Sequence, residues 1–125
     1  MPISVQPIEP ALILHYRFSG QITRDDLERV QDAEASYFQA LGDGDGVTVI
    51  ADMASLHTIG ANLFSRLRNL RMVRDRRVRR VIVVGANPYL RALALSLGSI
   101  ESEHEFIFRP TLADALQSVD DAVSV

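Results

Sequence analysis

The sequence contains no cysteine. That excludes disulfides, thiol nucleophiles and thiolate metal sites, and it is compatible with a reducing compartment. Lysine is missing too, so all 13 basic residues are arginine. No apolar run approaches the ~20 residues needed to cross a bilayer. The opening MPISVQPIEP has neither a basic start nor an apolar core. No secretory leader is therefore expected, and the chain reads as cytoplasmic. Neither GxGxxG nor GxxxxGK[ST] occurs, which leaves a nucleotide phosphate without its glycine frame.

What is present has the balance of a soluble globular protein. The 125 residues are 47% apolar and 23% charged, which suits a single domain spanning 1–125. The net charge of -3 hides an asymmetry. Arginines crowd the stretch from Arg66 to Arg80, opposed there only by Asp75, while acids gather at 25–34 and 101–105. A local positive field on an acidic protein is expected.

Periodicity predicts the elements. ISVQPI (3–8) is a short strand whose Pro7 suits an edge. ALILHYRFSG (11–20) is a second strand, with Leu12, Leu14, Tyr16 and Phe18 on one face. The two should pair antiparallel around Glu9-Pro10. Thr23 is a good N-cap for a helix running to Gly42, carrying Leu27, Val30, Ala33, Ala35, Tyr37, Phe38 and Leu41. GVTVIADMA (46–54) reads as a buried strand. Leu63, Phe64, Leu67, Leu70 and Val73 form one stripe of a helix from Ala61 to about Arg76. Arg80-VIVVGA is a third buried strand, and Asn87-Pro88 opens a helix that Gly98 should end. HEFIFRP (104–110) is a strand, and Thr111 caps a last helix. The order β-β-α-β-α-β-α-β-α predicts an α/β fold with a mostly parallel sheet and an antiparallel edge strand.

That order, with the strand-loop-helix at 47–67, resembles the STAS domain, the SpoIIAA-like fold of bacterial anti-sigma-factor antagonists. Members carry a buried strand ending in Asp-Leu-Ser, a spacer, then Ile-Asp-Ser-Ser-Gly-Leu opening a helix. Here Val49-Ile50-Ala51-Asp52-Met53-Ala54 matches the strand and its acid, and Ile59 matches the isoleucine. Gly60, Ala61, Asn62 and Leu63 stand where Asp, Ser, Ser and Gly would be. The family's phosphoacceptor serine thus falls on Ala61, which has no hydroxyl. This departure is similar to a STAS/SEC14-type subgroup that lacks the serine. The resemblance implies a signalling module that meets a protein partner, such as an anti-sigma kinase or related regulator, at this junction. In switchable relatives added phosphate breaks that contact, so Gly60-Ala61 implies a fixed, unphosphorylated-like state. The subgroup implies a rival role, binding a small apolar ligand or a membrane.

The residues set out the candidates. The partner surface would be the loop and helix start of Asp52, Ser55, His57, Thr58, Gly60, Ala61, Asn62 and Ser65, since ligands meet open α/β sheets at strand ends. Arg66, Arg68, Arg71 and Arg74 lie off the apolar stripe and would extend it as a basic face. Arg76, Arg77, Arg79 and Arg80 would suit a helix C-terminus. An acidic protein or an anionic membrane surface fits such a face. With aromatics at 6% and no binding motif, nucleic acid fits poorly. Leu63, Phe64, Leu67, Leu93 and Leu97 could line an apolar pocket or simply fill the core. Asp52, Ser55 and His57 could be drawn as a triad, but no nucleophile elbow surrounds them. No enzymatic activity, metal or cofactor is expected, because no histidine pair has ligand spacing. The GANP turn (85–88) could hold an anion. Self-association through the 3–8 edge strand would give a homodimer.

Overall fold

The computed structural model describes residues 3–9, 11–56, 65–67, 69–101 and 105–123, with backbone alone for 97–101 and 120–123. Five strands form one sheet in the order β1-β2-β3-β4-β5. They are β1 (Ile3–Ile8), β2 (Ile13–Ser19), β3 (Val47–Ser55), β4 (Val78–Val84) and β5 (Glu105–Arg109). β1 pairs antiparallel with β2, and every other pairing is parallel. The expected mixed sheet with an antiparallel edge is what forms, and Pro7 lies on that edge.

Among the described residues, the helices that accompany the sheet are α1 (Arg24–Gln39), α2 (Arg71–Arg74), α3 (Pro88–Glu101) and α4 (Leu112–Val123), besides the helical turn at 65–67. Strand side chains alternate between two cores, as the pleat requires. Leu14, Tyr16 and Phe18 of β2, Val47, Val49 and Ala51 of β3, and Val81 and Val83 of β4 face α1, α2 and α3. Ile13, Ile50, Ile82 and Val84 point the other way, onto Ala115 and Val119 of α4. The crossover helices thus share one face, and α4 covers the second.

α1 begins where its sequence demands. The Thr23 hydroxyl accepts the Asp26 N–H, and the Asp26 carboxylate accepts the Thr23 N–H, a reciprocal capping box. That N–H and the Thr23 hydroxyl hold the Asp26 carboxyl below the usual range. Thr23→Ala removes the hydroxyl while leaving the backbone donor. It is expected to cost about 1 kcal/mol, read by urea unfolding.

Four expectations need correction. The helix drawn from Ala61 to Arg76 is not continuous: a helical turn at 65–67 is followed by a turn at Asn69, and Leu70 is extended (φ -68°, ψ 146°) before α2. A carboxylate from another element supplies the reason. Glu34 of α1 accepts the N–H groups of Arg71 (3.0 Å) and Met72 (3.0 Å), so the chain restarts as a new helix on that acceptor. Second, Gly98 does not end α3, which continues to Glu101. Third, β4 starts at Val78, so Arg79 and Arg80 lie in a strand rather than at a helix end. Fourth, Leu12 is exposed instead of sharing a face with Leu14, Tyr16 and Phe18, because β2 begins after it.

Arg77 also departs from its expected role. Its guanidinium grips Asp75 through two nitrogens (3.0 and 2.8 Å). It donates as well to the Phe38 and Leu41 carbonyls at the end of α1 (2.9 and 3.3 Å), and it lies over the Phe38 ring. It therefore caps α1 instead of its own helix, where no lysine with its single point charge could serve the same three acceptors. This pairing holds the Asp75 carboxyl below its ordinary range.

Candidate functional site

β3 carries the candidate junction to the carboxyl end of the sheet. Its buried run Val49, Ile50 and Ala51 fixes the strand, and Asp52 follows between Arg17 of β2 and Val84 of β4 in register. The Asp52 carboxylate accepts the Ala54 N–H at 3.1 Å. It thus shapes the strand exit itself, a common use of an aspartate two residues before the donor. Ser55 is exposed at the strand end, and its carbonyl accepts the Gly20 N–H at 3.4 Å. Leu56 turns back into the core. Ser65 and Arg66 are exposed, whereas Leu67 is buried. His57, Thr58, Gly60, Ala61, Asn62, Leu63, Phe64 and Arg68 lie outside the described residues, as does the Leu97 side chain.

Parallel pairing brings a histidine close to Asp52 that sequence spacing could not place there. His15 is on β2 beside Ile50, two positions before Arg17, on the same sheet face as Asp52. Burial lowers its pKa; Asp52 pulls upward and Arg17 downward. Its Nε2 is buried without a hydrogen-bond partner among the described residues. The signal was available in the alternation of β2, but the pairing of β2 with β3 was needed to read it.

The arginines divide between the two ends of the sheet. Val47 pairs with Val78, and Arg79 packs over Gly46, so Arg74, Arg76 and Arg79 surround the amino ends of β3 and β4. From there to Ser55 is eight residues of strand, roughly 26 Å at ~3.3 Å each. Arg71 and Arg74 are exposed, and Arg71 approaches Asp75 at 4.0 Å. Arg66, next to the buried Leu67, stays with the carboxyl end: Leu67 lines an apolar cavity with Met53 and Leu56. Leu93 lines the same cavity, whose volume is about 40 Å³.

Glu34 was missed by the sequence reading. It is 0% exposed and accepts from the Tyr16 hydroxyl as well as from Arg71 and Met72. Burial pushes its carboxyl above the ordinary range, although all three donors pull the other way. The available signal was spacing: Glu34 stands four residues from both Val30 and Phe38, on the buried stripe.

The chain superposes on a crystal structure of an uncharacterised protein of the DUF3478 family with a SpoIIAA-like fold, from Shewanella loihica PV-4. The TM-score is 0.72 over 93% of this chain and 90% of that one, at 18% identity. The chain has a SpoIIAA-like fold. No protein-family model and no curated protein matches it. The expected STAS-type architecture is therefore present at an identity that speaks to the fold alone. Within the SpoIIAA-like sheet, β3 is the central strand, and Asp52 to Ser55 form its carboxyl end. Among the described residues, no helix is long and apolar enough to cross a membrane.

Proposed function

We propose that this SpoIIAA-like chain is a non-enzymatic, STAS-like regulatory module that binds a protein partner at the carboxyl end of β3. The carrying observation is the strand exit itself. Asp52 spends its carboxylate on the Ala54 N–H, so it builds a fixed loop instead of presenting a free acid. Exposed Ser55, Ser65 and Arg66 then offer a polar rim beside buried Leu56 and Leu67. In the resembling domains this junction is the partner surface, and the sequence puts Ala61 where their phosphorylated serine stands. The module would bind constitutively.

A photo-crosslinking side chain placed at Ser55 or Ser65 tests this in cells of the source organism. One stoichiometric protein adduct from both positions, absent from a control position at Glu28, is the expected result. Adducts of equal yield from Glu28, or none from either serine, would count against it. Stoichiometric phosphate on Thr58 or Ser65 after incubation with a cognate kinase and ATP would refute the constitutive state.

The rival, a carrier of an apolar ligand, has a location in the cavity lined by Leu67 and Leu93. Its volume of about 40 Å³ is far below the ~300 Å³ at which ligand pockets begin. An acyl chain would have to part the helices from the sheet. Native mass spectrometry of the purified protein distinguishes the readings, since a carrier would retain a ligand mass.

A further inference from the structure

The two edges of the sheet are not alike. β1 carries Pro7, which has no N–H to offer a further strand, and a proline there blunts the edge. β5 reads Glu105-Phe106-Ile107-Phe108-Arg109, has no proline, and ends the sheet on the other side. Among the described residues no strand pairs with its outer edge. Its three central side chains are apolar and only half-buried. Arg91 of α3 lies over the Phe108 ring, and Leu95, four residues on, shares that flank of the helix and is 52% exposed.

Backbone direction along β5 follows from one bond. The Arg109 carbonyl accepts the Gly85 N–H at 3.0 Å, so it points toward β4. Alternation along the strand then turns the N–H and C=O groups of Phe106 and Phe108 outward. The Arg109 guanidinium donates to the Phe108 carbonyl at 2.9 Å, which holds its charge at that open edge. Side chains alternate as well. Phe106 and Phe108 pack on the core beneath α1, α2 and α3, whereas Ile107 packs toward α4 and Arg109 reaches Ser118 there. Glu105 shares the face of Ile107 and Arg109.

We propose that the chain forms a symmetric homodimer by antiparallel pairing of β5 with β5 of a second copy, on a two-fold axis at Ile107. The strand is self-complementary in that register. Glu105 stands opposite the partner's Arg109, Phe106 opposite the partner's Phe108, and Ile107 opposite itself. Opposed residues share a face, so each carboxylate meets a guanidinium and each phenylalanine a phenylalanine. The phenylalanines also own the outward backbone groups, so they form the hydrogen-bonded pairs and Ile107 the non-hydrogen-bonded one. Moving the axis to Phe106 or Phe108 would set a charged residue against Ile107. Glu105 already lies 3.3 Å from Arg80 but has a side chain 60% exposed, so its carboxylate can bridge Arg80 and the partner's Arg109. The β3 exit is two strands away and stays open, and the dimer does not rest on the partner-binding reading.

Sedimentation of the full chain over a range of concentrations tests this, and a monomer–dimer equilibrium is expected. Glu105→Arg and Arg109→Glu each set like charges opposite one another and should weaken the dimer on the order of tenfold or more. An equimolar mixture of the two variants makes every charge pair opposite in sign again and should recover the dimer. Native-like amide spectra confirm that each variant is folded. The chain has no cysteine, so Ile107→Cys gives an independent measurement. The axial pair lies within disulfide reach, and mild oxidation should yield a crosslinked dimer, while Gln6→Cys on β1 stays monomeric. A single-chain mass at every concentration, a dimer that both charge reversals leave intact, a mixture of folded variants that fails to recover it, or crosslinking of Gln6→Cys as fast as Ile107→Cys would each overturn the proposal.

Discussion

Glu34→Ala is expected to lower stability by about 4 kcal/mol, and the thermal midpoint by on the order of 15 °C. The carboxylate is the shared acceptor for the Tyr16 hydroxyl and the Arg71 and Met72 N–H groups. Alanine removes the acceptor of all three donors, at roughly 1–3 kcal/mol for each donor left unpaired. Relief of the buried carboxyl's own desolvation offsets part of that sum. Glu34→Gln keeps one oxygen acceptor and should cost less. The loss should be local as well as global, because the restart at Arg71 depends on this acceptor. Hydrogen exchange at Arg71 and Met72 should therefore accelerate in Glu34→Ala more than exchange within β3.

The same residue gives a pH signature. Its carboxyl titrates above its ordinary 4.5 in the folded chain, chiefly through burial. The folded state then holds the proton more tightly than the unfolded one. This contribution to stability is fully present below 4.5 and is lost as pH rises through the folded value. Asp26 and Asp75 behave oppositely: their carboxyls are lowered from 3.8, so their contribution is lost on acidification below that value. Urea unfolding across pH should show a decline above 4.5 in the wild type that Glu34→Gln abolishes. A wild-type curve that rises through that window would contradict this assignment.

Gly85→Ala is the second large effect. Gly85 has φ +67°, and an added Cβ would lie 2.7 Å from the Ala54 Cβ and 2.9 Å from its Cα. Part of that obstacle is the backbone of the β3 exit, so no side chain can swing aside. A left-handed residue costs about 1–2 kcal/mol by itself, and displacing a packed strand adds a further ~1–3 kcal/mol. A total near 3 kcal/mol is expected, read by equilibrium unfolding. Gly20→Ala is the control: φ is +61° with nothing within 4 Å of its Cβ, so only the backbone term should appear. Equal costs at both glycines would refute the close approach of the β4 exit to Ala54.

The strands and their order were legible because each carries its burial in a simple pattern. Val47 to Ala51 and Val81 to Val84 are mostly β-branched runs, buried at every position but Thr48, and proline marked the β1 edge. The break at Leu70 was not legible. The apolar stripe from Leu67 to Val73 keeps helical spacing across it, and the interruption is made by an acid 37 residues away in sequence. Glu34 itself was hidden by its charge: glutamate on a helix ordinarily reads as a solvated position. The arginine cluster misled in the opposite direction. Spacing put Arg66, Arg68, Arg71 and Arg74 on one face and Arg76 to Arg80 at a helix end, yet the turn into β4 sends Arg77 under α1 and Arg79 to the far end of the sheet from Ser55.

The central claim is that the carboxyl end of β3 is the surface a partner protein meets. Calorimetric binding of the crosslinked partner to the wild type, Ser55→Glu and Arg24→Glu measures it most directly. Ser55→Glu places a negative charge at the proposed contact, and a loss of at least about tenfold is the expected result, with Arg24→Glu on α1 unchanged. Undiminished binding of Ser55→Glu, or equal loss in Arg24→Glu, would contradict the claim.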